Sequence, residues 1–217
     1  VDDAVNYGIS KKADSILLNG DVIDAYQLSK YQPDPRKRNF WQEIEAFKEF
    51  IKVLKEAINV PIYYKMGNHC ERYEKKMIER CPEFLGIPQF NFESVMGLHD
   101  LGVTLISDQR RVNIGNLAVY HGHEVGLKSA NVNPARSLFL KIHANGMVGH
   151  LHRTSQHTEP SIEEDITCWS LGHLGNPHPP FCRNNKWNHG IARIEKDEEG
   201  NYEVINVNLT KNKLYRM

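Results

Sequence analysis

Neither sign of charge is in excess in this chain: 27 Lys and Arg residues are balanced by 27 Asp and Glu. It therefore has no global field with which to gather nucleic acid or an anionic membrane surface. The local clusters Arg36-Lys37-Arg38 and Arg110-Arg111 read as solvated faces. No apolar run approaches the roughly 20 residues that cross a bilayer. No signal-peptide pattern is readable in the sequence, and no membrane partner is expected. Cysteine is scarce, and Cys70, Cys81, Cys168 and Cys182 show no Cys-x-x-Cys spacing. Reduced thiols of a cytoplasmic protein are the expectation. Repeats, low-complexity tracts and linkers are also missing, so a single domain over residues 1–217 is expected. The chain has no Gly-x-Ser-x-Gly elbow and no Cys-His pairing, which leaves no obvious protein nucleophile.

What the chain does have is a series of apolar runs that end in polar, chemistry-bearing turns. Val60 to Tyr64 is β-branched and aromatic and reads as a buried strand, and it runs into Met66-Gly67-Asn68-His69-Cys70. Ser15 to Asn19 is another such run, ending in Gly20-Asp21, with Asp24 three residues on. Leu117 to Tyr120 ends in His121-Gly122-His123, and Gly146-Met147-Val148 ends in Gly149-His150-Leu151-His152. Between the first two strands, Ile44, Phe47, Ile51, Leu54 and Ile58 recur at the spacing of an amphipathic helix over 41–58. A strand–helix–strand unit predicts a parallel pair. Further helices are expected over Val1–Lys12, Glu71–Arg80 and Ser137–Ala144, with Cys81–Gly97 as a connection. Val103–Ile106, Arg111–Ile114 and Leu117–Tyr120 have the spacing of a β-meander. Ile166–Leu171, Gly190–Glu195 and Tyr202–Leu209 read as closing strands, the last two joined by a turn over Lys196–Asn201. Strand–helix alternation first and hairpins later suggest two layered sheets.

Asp, Asn and His at successive strand ends are oxygen and nitrogen donors suited to divalent transition metals. In this order the four blocks Gly-Asp-x-x-Asp, Gly-Asn-His, His-Gly and Gly-His-x-His resemble the calcineurin-like metallophosphoesterases of phage and bacterial type. The resemblance implies an α/β protein, a four-layer α/β/β/α sandwich of two mixed sheets with metals at the strand ends of one edge. It implies a metal-dependent phosphoesterase that needs no protein nucleophile. Asp21 corresponds to the carboxylate that bridges two metals, Asn68 to the amide ligand, and His121 and His150 to ligands of the second metal. His152 corresponds to a ligand of the first. The implied cofactors are two divalent ions, manganese foremost, with zinc, iron or nickel as alternatives.

His69 has a different implied role: general acid to the leaving oxygen, or hydrogen-bond donor to a phosphate oxygen. Asp24 is its implied partner, orienting the imidazole. Arg72 is the nearest basic candidate to grip a phosphate, its alternative being a helix-surface charge. The chain departs from the family pattern in three places. Cys70 follows Gly-Asn-His where Asp or Glu is usual, and reads as a small buried hydrophobe. Ala25 follows Asp24 where the phosphoprotein phosphatases carry a phosphate-binding Arg, which favours a phosphodiester, nucleotide or nucleic-acid substrate over a phosphoprotein. The leading Asp-x-His block of the family does not occur in this sequence. The expectation is a chain without its first strand that holds one metal, with Asp21 and His152 alone left for the other. A phosphomonoesterase, or a non-catalytic binding module on the same fold, is the alternative. His123, His173, His178 and His189 match no ligand position and are left unassigned.

Overall fold

The computed structural model describes residues 1–31, 33–37, 39–106, 110–128, 132–210 and 213–216. Arg38 of the first basic cluster lies outside them. The protein is mixed α/β, with five α-helices and three sheets among the described residues. It divides into two compact units, residues 9–107 and residues 1–8 with 108–217. The opening helix α1 is Asp2–Ser10.

The first unit is built on a parallel sheet ordered β1 (Ile16–Asn19), β2 (Ile62–Lys65), β3 (Val103–Leu105). Helix α2 (Phe40–Ala57) connects β1 to β2, as parallel neighbours require a crossover. Its start is fixed by a capping box, in which Asn39 accepts from Gln42 N–H and the Gln42 side chain accepts from Asn39 N–H. Ile44, Phe47, Ile51 and Leu54 are buried along one stripe, and Phe47 meets Tyr64 edge-on at 5.7 Å. Helices α3 (Arg72–Arg80) and α4 (Phe92–Met96) follow, α4 falling inside the stretch expected to be irregular. Phe92 of α4 packs on Tyr64 at 6.0 Å.

The expected meander is corrected here. Val103 pairs with Ile62 in the parallel sheet, so β3 lies in a different sheet from the strands that follow it. A three-residue apolar strand carries no mark of which neighbour it will join.

In the second unit a mixed sheet is ordered β4 (Val112–Ile114), β5 (Leu117–Tyr120), β6 (Gly146–Val148), β8 (Ile166–Ser170), β7 (Ser155–Glu159). Helix α5 (Pro134–Ile142) begins three residues before the apolar pattern, because Asn133 caps it and Pro134 occupies its first turn. Leu138 of α5 packs with Val148, Leu151 and Cys168 in one buried cluster. A separate antiparallel sheet is ordered β11 (Lys213–Arg216), β10 (Tyr202–Thr210), β9 (His189–Lys196). The expected turn before β10 is present, with Asp197 and Asn201 bonded across it. No described helix is long and apolar enough to cross a membrane.

Candidate functional site

In the first unit the parallel register sets the geometry. Asn19 pairs with Lys65, so Asp21 comes level with Gly67 two residues beyond each strand. A Cβ on Gly67 would lie 2.3 Å from Asp21 Oδ1 and 2.6 Å from Asp21 N. Only glycine admits so close a carboxylate. Asp21 itself has φ 52°, directly after Gly20 at φ 87°. Asp is among the residues that enter this left-handed region, at a cost of order 1 kcal/mol. The strained turn ends with Asp21 Oδ1 accepting from His69 N–H at 2.8 Å.

His69 and Asp24 meet side chain to side chain, Nδ1 to Oδ1 at 2.9 Å. A carboxylate only accepts, so Nδ1 carries the proton, and Nε2 faces away from Asp24. Nε2 lies 3.9 Å from Asp21 Oδ2, beyond hydrogen-bonding distance. Arg72 Nη1 donates to the Asp24 carbonyl at 2.6 Å and to its Oδ1 at 3.0 Å. The hydrogen bond from His69 holds the Asp24 carboxyl below its ordinary value; the charges of His69 and Arg72 add to this and burial opposes it. Arg72 is thus engaged with the dyad's carboxylate. Asn68 stands half-buried in the same turn as His69. Cys70 is buried with its Sγ 3.1 Å from the Tyr64 hydroxyl, and burial pushes its thiol up. That fits a packing residue and not a nucleophile.

In the second unit Tyr120 pairs with Val148, again in parallel, which brings Gly122 level with His150. A Cβ on Gly122 would lie 2.7 Å from His150 Cβ, and φ 137° there also favours glycine. This close approach leaves His121 Nε2 and His150 Nδ1 3.2 Å apart, with His121 only 2% exposed. Two nitrogens bound at about 2.0–2.1 Å to one tetrahedral ion stand about 3.3 Å apart, so the pair fits a shared divalent metal. His150 N–H donates to the His121 carbonyl at 2.8 Å, fixing the two loops to each other.

His152 packs among a further group of rings. At φ 55° its ring stacks on His173 at 4.7 Å and meets the Trp187 edge at 4.5 Å. Its carbonyl accepts from Asn188 N–H at 3.0 Å, and Asn188 exchanges side-chain bonds with Thr154. Burial, with His189 alongside, pushes His173 down to about 4, so a neutral ring backs His152. Of the histidines left unassigned, His123 lies edge-on to His121 at 5.4 Å, His189 Nε2 is 2.7 Å from the Gly175 carbonyl, and His178 is exposed.

Two acidic residues outside the four motif blocks shape these turns. Glu124 accepts from His121 N–H at 3.0 Å and Gly122 N–H at 2.5 Å, shaping the His-Gly-His turn. Its signal was its place directly after that motif. Glu43 on α2 accepts from Ala25 N–H and Tyr26 N–H. Its signal was an acid four residues before Phe47, in line with the buried stripe. The chain matches no protein-family model, and no curated protein matches it.

Proposed function

We propose that this chain is a metal-dependent phosphoesterase of the calcineurin-like type, with the two-sheet α/β/β/α architecture of that family. The observation that carries the reading is in the first unit. One turn bonds Asp21 to the His69 backbone, and the next bonds Asp24 to the His69 ring. A binding module has no use for an oriented imidazole–carboxylate pair. The ligands on this reading are Asp21, Asn68, His121, His150 and His152, with manganese as the foremost ion. The separation of His121 and His150 supports it. A bound divalent ion supplies polarisation of the phosphoryl group and a lowered pKa for an attacking water.

The chain's own residues do the rest. Asp24 holds the proton on His69 Nδ1 and orients the ring, with Arg72 steadying Asp24. His69 Nε2 gives its proton to the oxygen that leaves phosphorus as the P–O bond breaks, and regains one from solvent. A phosphodiester or nucleotide is the favoured substrate, because Ala25 offers no guanidinium and Arg72 is turned to Asp24. The test is a screen of p-nitrophenyl mono- and diesters with manganese, zinc, nickel and magnesium. Metal-dependent turnover, faster for the diester, is the expected result. No turnover with any ion would refute the reading.

A further inference from the structure

The dyad's carboxylate sits on a turn outside the sheets. Asp24 is an exposed residue, its side chain 48% accessible, in a stretch without sheet partners. Its successor Ala25 is fully buried and adopts φ 47°, ψ 44°, a left-handed conformation unfavourable for alanine. Such a kink turns successive N–H groups to one side and makes a small anion-binding concavity. Here the concavity is filled from within. Glu43 Oε2 accepts from Ala25 N–H at 2.6 Å, and Oε1 accepts from Tyr26 N–H at 2.9 Å.

Glu43 is only 7% exposed and belongs to the first turn of α2, next to the Asn39 capping box. A carboxyl group that far from water is tolerated because both of its oxygens are bonded. The contact is bidentate, so it fixes the orientation of the turn as well as its distance. The Asp24–Ala25 peptide is therefore pinned to α2, an 18-residue helix. Arg72 on α3 grips the same residue, through its carbonyl and carboxylate. Ala25 N–H lies one peptide from the carboxylate that orients His69.

We propose that Glu43 is a positioning residue for the Asp24–His69 pair, an internal anion that holds the strained turn so that Asp24 meets the imidazole. Its catalytic consequence rests on the phosphoesterase reading; the clamp itself does not. Because the two amides are already occupied, they are closed to a substrate phosphate, and the substrate must be held elsewhere.

The test is the isosteric Glu43→Gln, which leaves one acceptor oxygen and sets an NH2 group against the other N–H. Turnover of an alkyl phosphodiester should fall about 10–100-fold, with KM and bound metal little changed, as for a displaced orienting group. The loss should be smaller for a p-nitrophenyl ester, whose leaving group needs less protonation. In an Asp24→Asn background Glu43→Gln should have little further effect. Full turnover in Glu43→Gln, or equal losses with and without Asp24, would overturn the proposal. An activity-independent arm separates the two ideas. If the wild-type chain hydrolyses no ester, the phosphoesterase reading fails alone, and the clamp is judged by NMR. The His69 Nδ1–H resonance should be protected from exchange in the wild type and lost in Glu43→Gln; an unchanged resonance would overturn the clamp.

Discussion

Gly67→Ala isolates the contact that presents Asp21. Gly67 is not at a positive φ, so alanine meets no intrinsic backbone penalty there, and whatever is lost comes from Asp21. The new Cβ would stand 2.3 Å from Oδ1, 2.6 Å from the main-chain N and 2.8 Å from Cγ. Real Cβ contacts almost never fall below 3.0 Å, so the carboxylate must retreat by about 0.7 Å. A rotamer change cannot relieve the main-chain contact, so the whole Gly20–Asp21 turn has to move. The 2.8 Å bond from His69 N–H to Oδ1 then leaves the normal range. A hydrogen bond to a charged group contributes about 1.5–3 kcal/mol. For a chain of this length that is a fall in Tm of about 3–12 °C. Metal-dependent phosphoester hydrolysis should fall with it, and by more than stability alone explains. Thermal unfolding by circular dichroism and a diester assay on the same preparation check both. Asp21→Ala, which removes Oδ1 and Cγ, should shrink the Tm penalty of Gly67→Ala. A Gly67→Ala protein with wild-type Tm and turnover would refute the placement of Asp21 against this turn.

Two further outcomes follow from the dyad. His69→Ala should lower turnover about 10²–10⁴-fold with bound metal unchanged, and less for p-nitrophenyl than for alkyl esters; equal losses for both would leave only phosphate binding. Asp24 makes stability depend on pH, because its carboxyl is held below its ordinary value, first through the His69 hydrogen bond. The stabilisation it provides is complete above about pH 4 and is lost as pH falls through the lowered folded value. Asp24→Asn should therefore show a shallower decline of Tm on acidification, and parallel Tm–pH curves for mutant and wild type would contradict this.

How much was legible in the sequence depended on how local the cause was. Helix α2 could be read within a residue at either end, because its stripe and its capping residues lie in one stretch of chain. That Asp24 and His69 pair was implied only by the resemblance of Gly-Asp-x-x-Asp and Gly-Asn-His to a family pattern, since nothing local to either turn points to the other; the two side chains meet at 2.9 Å. Strand β7 was missed because Ser-Gln-His-Thr-Glu has no apolar alternation; it is an edge strand held by its ladder to β8. Helix α4 has five residues, too few to display a 3.6-residue period. The sheet that β3 joins is decided by a parallel pairing some forty residues away, with no local signature. The same holds at the site. Glu43 reaches the Ala25 turn from 18 residues downstream, and an acid that serves backbone N–H groups has no motif. The left-handed conformations of Asp21 and His152 likewise belong to turns whose partners are distant in sequence.

The most direct test of the account is the metal content of the dialysed 217-residue chain, followed together with its diester hydrolysis. On the phosphoesterase reading Asp21, Asn68, His121 and His150 would be the four donors, enough for one divalent ion once water is added. The account predicts close to one tightly held ion per chain, turnover that tracks it, and loss of both in Asp21→Asn, where the charged ligand is gone. A chain that binds no divalent ion, or that hydrolyses diesters equally well after the metal is stripped, would contradict it.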